Sequence, residues 1–353
     1  MERLTLDKVP KQSLSQIDIE TAFMVSRLIV AAERIQVFRL LHGEQMKADA
    51  IGRGLKIHKN HLEPFLNVLV ALGLLRKANG RYWNSRLATK YFIKERSIYW
   101  TRQYSKECAR AYEALTVLEE ALRSGKGCRA IKDPQAPSYV ESMKRDPNQA
   151  RDFTQMLLHY HRDDAKALAD YLDLSDREAV LDVGGGSGVM SIALAKRHRH
   201  LRACILDIGP VCEIAAENIH QAGLSGRVTT QAGDIHNSLP KGYDVIMFCD
   251  VGSLPKTMLQ NAFRALPANG LVVLVDRYLS RDATQPLDRI AAHFISSSFG
   301  LATWPDMVDE LTACGFTSVK ARNVYRDLWF ITAIKPGPGK IGVPRSATAT
   351  LGR

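Results

Sequence analysis

The residues best suited to chemistry lie between positions 179 and 235. The run AVLDVGGGSGV at 179–189 has three apolar residues, an Asp-Val pair, five residues of which four are glycine, and then an apolar helical pattern. That is a buried parallel strand, a glycine-rich turn and a helix start. Glycine lets the turn take backbone angles that a Cβ forbids, and lets a ligand rest directly on the main chain. The free N–H groups of the first helical turn then face that ligand. Asp182 stands just before the glycines, where a carboxylate suits an ammonium or a hydroxyl and does not suit pyrophosphate. Asp207 ends a second strand at 202–207, the usual place for a carboxylate that grips ribose hydroxyls. Asp234 follows a third strand at 228–230 and can accept from an adenine amino group. Any one of these acids is readable as a helix cap or a solvated loop residue. All three together, each at the tip of its own strand, fit S-adenosylmethionine, which carries an ammonium, a ribose and an adenine but no phosphate. They fit NAD or FAD poorly.

The elements that must hold these acids alternate strand and helix: strands at 179–183, 202–206, 227–230, 243–249 and 270–276, with helices at 188–197, 210–223 and 255–265 between them. A helix at 304–314, stopped by Gly315, leads to strands at 317–324 and 328–334. The expected class is α/β, a seven-stranded Rossmann-like sheet closed by an antiparallel hairpin. Ahead of it, 17–41 has a helical apolar pattern wide enough to be buried on two sides. Helices at 47–55 and 59–73 and a hairpin around Asn79-Gly80 follow, which together describe a winged helix. Its second short helix carries Lys59 as its one cation, and also Glu63 and Pro64, so it lacks the row of cations that phosphate contacts need. Dimer packing is expected there, not nucleic-acid binding. Residues 97–173 read as helices that connect the two parts and help wall a substrate pocket. The resulting division is 1–96 all-α/winged-helix dimerisation domain, 97–173 helical connector, 174–337 cofactor-binding domain and 338–353 disordered tail.

The 353 residues allow two ordinary domains, and 46% apolar with 24% charged residues is the balance of a globular chain. Six scattered cysteines with no CxxC suggest free thiols, no zinc site and a cytoplasmic chain. No apolar run has the length of a membrane span and the N-terminus lacks a signal-peptide pattern. The net charge of +11 is spread along the chain and is read as solubility and steering.

With LDVGGGSG at 181–188, LD at 206–207, GD at 233–234 and LPANGLVVLVD at 266–276, the chain resembles the class I S-adenosylmethionine-dependent small-molecule O-methyltransferases with an N-terminal winged-helix dimerisation domain, the caffeate and acetylserotonin type, over about residues 17–335. The resemblance implies a homodimer and a small-molecule acceptor. It implies that Gly184 and Gly186 line the methionine part of the cofactor, that Asp207 holds the ribose and that Asp234 and Ile235 bracket the adenine. Phe153 and Met156 match the family's helix residues that roof the cofactor. Asp182, Gly185, Ile208 and Cys249 complete the expected cofactor set.

One departure matters. The family places a His-Asp-Trp segment just after the strand ending at Cys249, and its histidine removes the acceptor's hydroxyl proton. Here the segment reads Asp250-Val251-Gly252-Ser253-Leu254-Pro255, and Ser253 takes the histidine's place. A serine hydroxyl is no base near neutral pH without an activating partner. His161 and His293 are the remaining candidate proton acceptors, with Asp250 as an orienting carboxylate. Short runs around both histidines also resemble bacteriochlorophyll C-20 methyltransferase, which lacks the same base. The expected function is O- or C-methylation of a small aromatic or conjugated acceptor in secondary or pigment metabolism. An alternative is a non-methylating use of the cofactor on this fold, in hydroxylation or decarboxylation. A winged-helix DNA-binding regulator comes last. Trp100, Tyr104, Tyr160, His293, Phe294, Phe299 and Trp304 are the expected aromatic lining of the acceptor pocket.

Overall fold

In a computed structural model of the chain, residues 19–94, 98–296, 300–325 and 327–337 are described. The expectation of a disordered tail at 338–353 lies outside these residues. The chain divides into two compact units between Glu113 and Ala114.

In the first unit the helix expected over 17–41 is broken. It runs as α1, Ile19–Arg34, and a single turn α2, Val37–Leu40, separated by Gln36 in the left-handed region at φ 65. The break re-aims the chain so that Val37, Phe38 and Leu41 enter the core of this unit. A continuous helix with 3.6 residues per turn would have carried them around the axis instead. β1, Met46–Lys47, then leads into α3, Ala48–Leu55, and α4, Lys59–Ala71. α4 buries Leu62, Leu66 and Leu69, a three-to-four-residue spacing that turns one face inward. β2, Leu75–Ala78, and β3, Arg81–Asn84, form the wing, with Asn79 and Gly80 both at positive φ in the turn. Both central residues at positive φ are what a two-residue type I′ hairpin requires. β1 adds to the outer side of β3, giving the order β1-β3-β2. A short α5, Arg86–Ala88, and a π-helical turn lead to α6, Ile98–Ala114, which spans the division.

The second unit begins with helical segments: α7, Leu118–Ser124, α8, Cys128–Lys132, α9, Tyr139–Arg145, α10, Pro147–Tyr160, and α11, Arg162–Tyr171. α9 starts with a full capping box on Ser138 and Glu141, and α10 starts with Asp146 as cap and Pro147 in the first turn. The sheet follows: β4, Ala179–Val183; β5, Arg202–Asp207; β6, Val228–Ala232; β7, Val245–Cys249; β8, Leu271–Asp276; β9, Thr317–Tyr325; and β10, Leu328–Ile334. Between the strands run α12, Val189–Arg197, α13, Gly209–Gln221, α14, Lys256–Ala265, α15, Leu287–Ile295, and α16, Trp304–Ala313. The order is β6-β5-β4-β7-β8-β10-β9, with β10 antiparallel to both neighbours.

Alternation along the central strands fills both faces. Val180, Ile205, Val245, Met247 and Val273 join the core under α11, α12 and α13. Leu181, Leu206, Ile246, Phe248 and Leu274 join the core under α14 and α16. Burial on both faces explains why β7, and β8 up to Asp276 at its end, read as unbroken apolar runs. The order reverses between β4 and β5 on one side and β4 and β7 on the other. Ligands in open α/β sheets bind at such a switch, outside the carboxyl ends of the strands.

Candidate functional site

The glycine turn after β4 sits at that switch. Gly184, at φ +70, lies so close to Val251 that a Cβ would fall 2.7 Å from its side chain. A Cβ on Gly185 would fall 2.6 Å from the carboxyl carbon of Asp182. Asp182 is thus folded back under the turn. It is fully buried, accepts from the Ser191 hydroxyl at 2.7 Å through Oδ2, and leaves Oδ1 without a partner. Burial pushes its pKa up to about 7, and the nearby charge of Asp207 adds to this while Ser191 opposes it. An unsatisfied buried carboxylate oxygen is costly in an unliganded fold. A cationic ammonium above the glycines would relieve that cost.

Asp207 ends β5 and is buried. Its Oδ2 accepts from the Gly186 N–H at 2.9 Å and its Oδ1 from the Ile208 N–H at 2.7 Å. Burial raises its pKa against these two donors. Asp207 therefore does two jobs: it braces the glycine turn across the switch and it presents a carboxylate beside it. Ile208 packs with Phe153, Met143 and Ile214. Ile235 comes within 3.8 Å of where a Gly184 Cβ would be. Asp234 is exposed and accepts from the His236 N–H at 2.9 Å in a local turn. These positions bring Asp182, Gly184, Gly185, Gly186, Asp207, Ile208 and Ile235 around one turn, with Phe153 on the adjoining helix.

On α10, Leu157 lies 3.9 Å from where a Gly186 Cβ would be. Met156, one residue before it, is half-buried on the same helix. α10 is tied to α13 by Gln155, which donates to Asn218 at 2.8 Å, while Asn218 donates to the Ser187 carbonyl at 3.0 Å. That chain of amides fixes the helix that adjoins the turn.

The ends of β7 and β8 carry a second cluster. His161, at the α10–α11 junction, is held by two carboxylates: its Nδ1 is 3.0 Å from Asp164 and its Nε2 is 3.1 Å from Asp250. Burial opposes a charge on the imidazole, but the two carboxylates outweigh it and its pKa is raised to about 10. His161 is an imidazolium near neutral pH. Arg289 of α15 lies 3.7 Å from Asp250 and 3.3 Å from Asp276. Burial raises Asp250 but His161 and Arg289 bring it below the ordinary carboxylate range. Asp276 is pushed up to about 8 by burial and by the like charge of Asp250. Two adjacent carboxyl groups do not both ionise readily, and here Asp250 carries the charge. Asp250 keeps 35% of its side chain open and holds φ 51, a left-handed angle that costs a non-glycine residue. Cys249, beside it, is buried and its thiol is pushed up by burial.

The remaining sequence candidates lie elsewhere. Ser253 is exposed and close to Gly300, where a Cβ would fall 3.5 Å from the Ser253 Cα. His293 is half-buried on α15, edge-on to Phe294. Trp304 is no pocket residue: it is buried in the core under α14 and α16, stacked on Trp329 at 4.8 Å. The side chains of Trp100, Tyr104 and Phe299 lie outside the described residues. Asp164, Arg289 and Asp276, which hold the charged cluster, were missed. Asp164 had a local signal, three residues after His161 on a helix. Arg289 and Asp276 are joined to the site only by the fold.

Residues 116–298 match the model of the O-methyltransferase domain and residues 17–94 that of the O-methyltransferase dimerisation domain. The chain is 28% identical over 296 residues to 3-hydroxy-5-methyl-1-naphthoate 3-O-methyltransferase of Streptomyces sahachiroi, covering 81% of this chain and 83% of that protein. It is 32% identical over 171 residues to aclacinomycin 10-hydroxylase of Streptomyces purpurascens, covering 46% of this chain and 45% of that one. Its fold is similar to that of human N-acetylserotonin methyltransferase in complex with S-adenosylmethionine, with a TM-score of 0.79, 19% identity, and coverage of 96% of this chain and 100% of the other.

Proposed function

The chain belongs to the O-methyltransferase family and is an S-adenosylmethionine-dependent methyltransferase; from that premise we propose that it methylates an acidic hydroxyl on a small, flat aromatic acceptor without a neutral imidazole as general base. One observation carries this reading: both ring nitrogens of His161 are engaged by carboxylates, and Ser253 stands where the family's base is expected. Neither group offers a basic lone pair near neutral pH. The naphthoate enzyme among its relatives acts on an aromatic hydroxyl, which suits the same acceptor class.

The residues present fit the cofactor. Asp182 would face its ammonium and Asp207 would hold its ribose, beside the turn formed by Gly184, Gly185 and Gly186. Ile208, Asp234 and Ile235 would frame its adenine, and Phe153, Met156, Leu157 and Cys249 would complete its surroundings. When bound, the cofactor supplies an electrophilic methyl group on a sulfonium. The chain's own part is to bind and orient. Holding nucleophile and methyl at attack distance is worth about 7–11 kcal/mol. A positioned base adds about 10²–10⁴-fold. A phenol of pKa about 10 is ionised to roughly one part in 10³ at pH 7, whereas one of pKa about 7 is half ionised. An acidic acceptor therefore recovers in its own ionisation most of what the missing base would supply. Asp250, partly open at the end of β7, is the carboxylate left to face the acceptor.

Residues 17–94 form the contact of a homodimer in this reading, and light scattering on the whole chain tests it. Scattered free thiols support a cytoplasmic site; among the described residues no helix is long and apolar enough to cross a membrane.

The test of the activity is transfer of labelled methyl from S-adenosylmethionine to a panel of hydroxylated aromatics of graded pKa. The reading expects rates to rise about 10²–10³-fold as acceptor pKa falls from about 10 to about 7. Rates independent of acceptor pKa would overturn it. The hydroxylase among the relatives favours one other outcome: acceptor oxidised, label retained in the cofactor. Mass spectrometry of the product separates the two.

A further inference from the structure

We propose that Arg289 is a positioning residue of the transfer site: its guanidinium spans the carboxylates at the ends of two neighbouring strands and fixes Asp250 toward the acceptor. The proposal rests on the reading of Asp250 as the group that faces the acceptor.

The geometry sets the two carboxylates side by side. Cys249 of β7 pairs with Val275 of β8, so Asp250 and Asp276 are the next residues on adjacent parallel strands. The Asp250 N–H donates to the Val275 carbonyl at 2.9 Å, which extends the ladder to the strand end. Arg289 reaches both from α15, one terminal nitrogen toward each. It is 8% exposed, and a buried guanidinium is tolerated only where carboxylates neutralise it. The planar fork suits this use: two nitrogens in fixed relation set the spacing and orientation of two acceptors, which a lysine's point charge does not do. His161 holds one carboxylate oxygen of Asp250 and Arg289 approaches the other.

The groups that face Asp250 come from every element around it. His161, with Asp164 behind it, comes from the α10–α11 junction, and Arg289 from α15. Asp276 and Tyr278 come from the end of β8 and the segment after it, and Cys249 from β7 itself. Of these, His161 and Arg289 are the two cations, so removing Arg289 leaves Asp250 with one.

The experiment uses the full chain with carboxyl-¹³C aspartate, titrated by NMR, beside steady-state kinetics and calorimetry with S-adenosylhomocysteine. In Arg289→Met, the Asp250 titration moves up by about one pH unit or more. The acidic limb of kcat/KM for the acceptor moves with it, acceptor KM rises about tenfold or more, and cofactor affinity stays within about threefold. Arg289→Lys restores the titration but only part of the KM. A folded Arg289→Met with an unmoved Asp250 titration overturns the proposal, as does equal loss in the Lys and Met variants. Should Arg289→Met not fold, Arg289→Gln reads the same link: with the guanidinium charge gone the Asp250 titration rises, and no rise counts against the proposal. The NMR arms need no acceptor. A wild type that transfers no methyl while the Asp250 titration still follows Arg289 overturns the functional reading and leaves the positioning role standing.

Discussion

Replacing His161 with Gln tests the charged cluster through stability. In the unfolded chain a histidine titrates near 6.5, whereas in the fold His161 is raised to about 10. The folded protein therefore binds this proton more tightly than the unfolded one. Stability from the imidazolium is fully present below about pH 6.5 and is lost as pH rises through about 10. Between those values the unfolded chain has released the proton and the folded one has not, so the slope is about −1.4 kcal/mol per pH unit. The shift of roughly 3.5 units sets a ceiling of about 5 kcal/mol. The interaction is shared with Asp250 and Asp164, so it is counted once. The measurement is urea unfolding of wild type and His161→Gln at intervals from pH 5.5 to 10. Taking the difference cancels other groups that titrate in the same range. The expected difference is largest and flat at the acid end and declines steadily above about pH 7. A difference that stays constant from pH 6 to pH 9.5 would show that His161 is neutral in the fold, and would return it to the list of bases.

Gly185→Ala puts a Cβ 2.6 Å from the Asp182 carboxyl carbon, so overpacking of about 1–3 kcal/mol is expected, with S-adenosylhomocysteine affinity reduced about tenfold or more by calorimetry. Asp182→Asn removes a buried carboxylate whose folded pKa, about 7, lies above its unfolded value of 3.8. The wild type is penalised increasingly as pH rises from about 4 through 7, so the ligand-free variant gains stability relative to wild type at pH 8 over pH 5, by up to about 3 kcal/mol. No such gain in pH-dependent unfolding would place Asp182 in water. Ser253→Ala leaves kcat within about threefold in the labelled-methyl assay, because an unactivated serine takes no proton near neutrality; a loss of 10²-fold would make it part of the chemistry.

The fold was legible because its signals are local. Unbroken apolar strands, glycines at the turn and an Asn-Gly hairpin each declare themselves within a few residues. The seven strands and the wing follow from them, and so do Asp182 and Asp207 at the switch. The misses have a different cause. The break at Gln36 serves burial of Val37, Phe38 and Leu41, which no helical periodicity announces. Trp304 looked like pocket lining because aromatic side chains serve cores and sites alike. The Asp250 cluster joins four distant parts of the chain, so its pairing is a property of the sheet and not of any segment.

That cluster bears on how transfer would proceed in the base-free reading proposed above. Two cations, His161 and Arg289, meet the ionised carboxylate of Asp250, Asp164 backs His161 at 3.0 Å, and Asp276 keeps its proton near neutral pH. The group is balanced within itself and holds its protons tightly. Methyl transfer to a phenolate consumes a cation and an anion together, so it gains from fixed, internally compensated surroundings and needs no new charge stabilised late in the reaction. A neutral base at the same place would leave a cation behind on accepting the proton. In that reading the acceptor's proton leaves before the methyl moves. Under these conditions single-turnover methyl transfer, measured on the pH-independent plateau above the acceptor's pKa, shows a solvent deuterium effect close to one. An effect of about two or more on that plateau would mean a proton in flight with the methyl, and some side chain of this site would have to be receiving it.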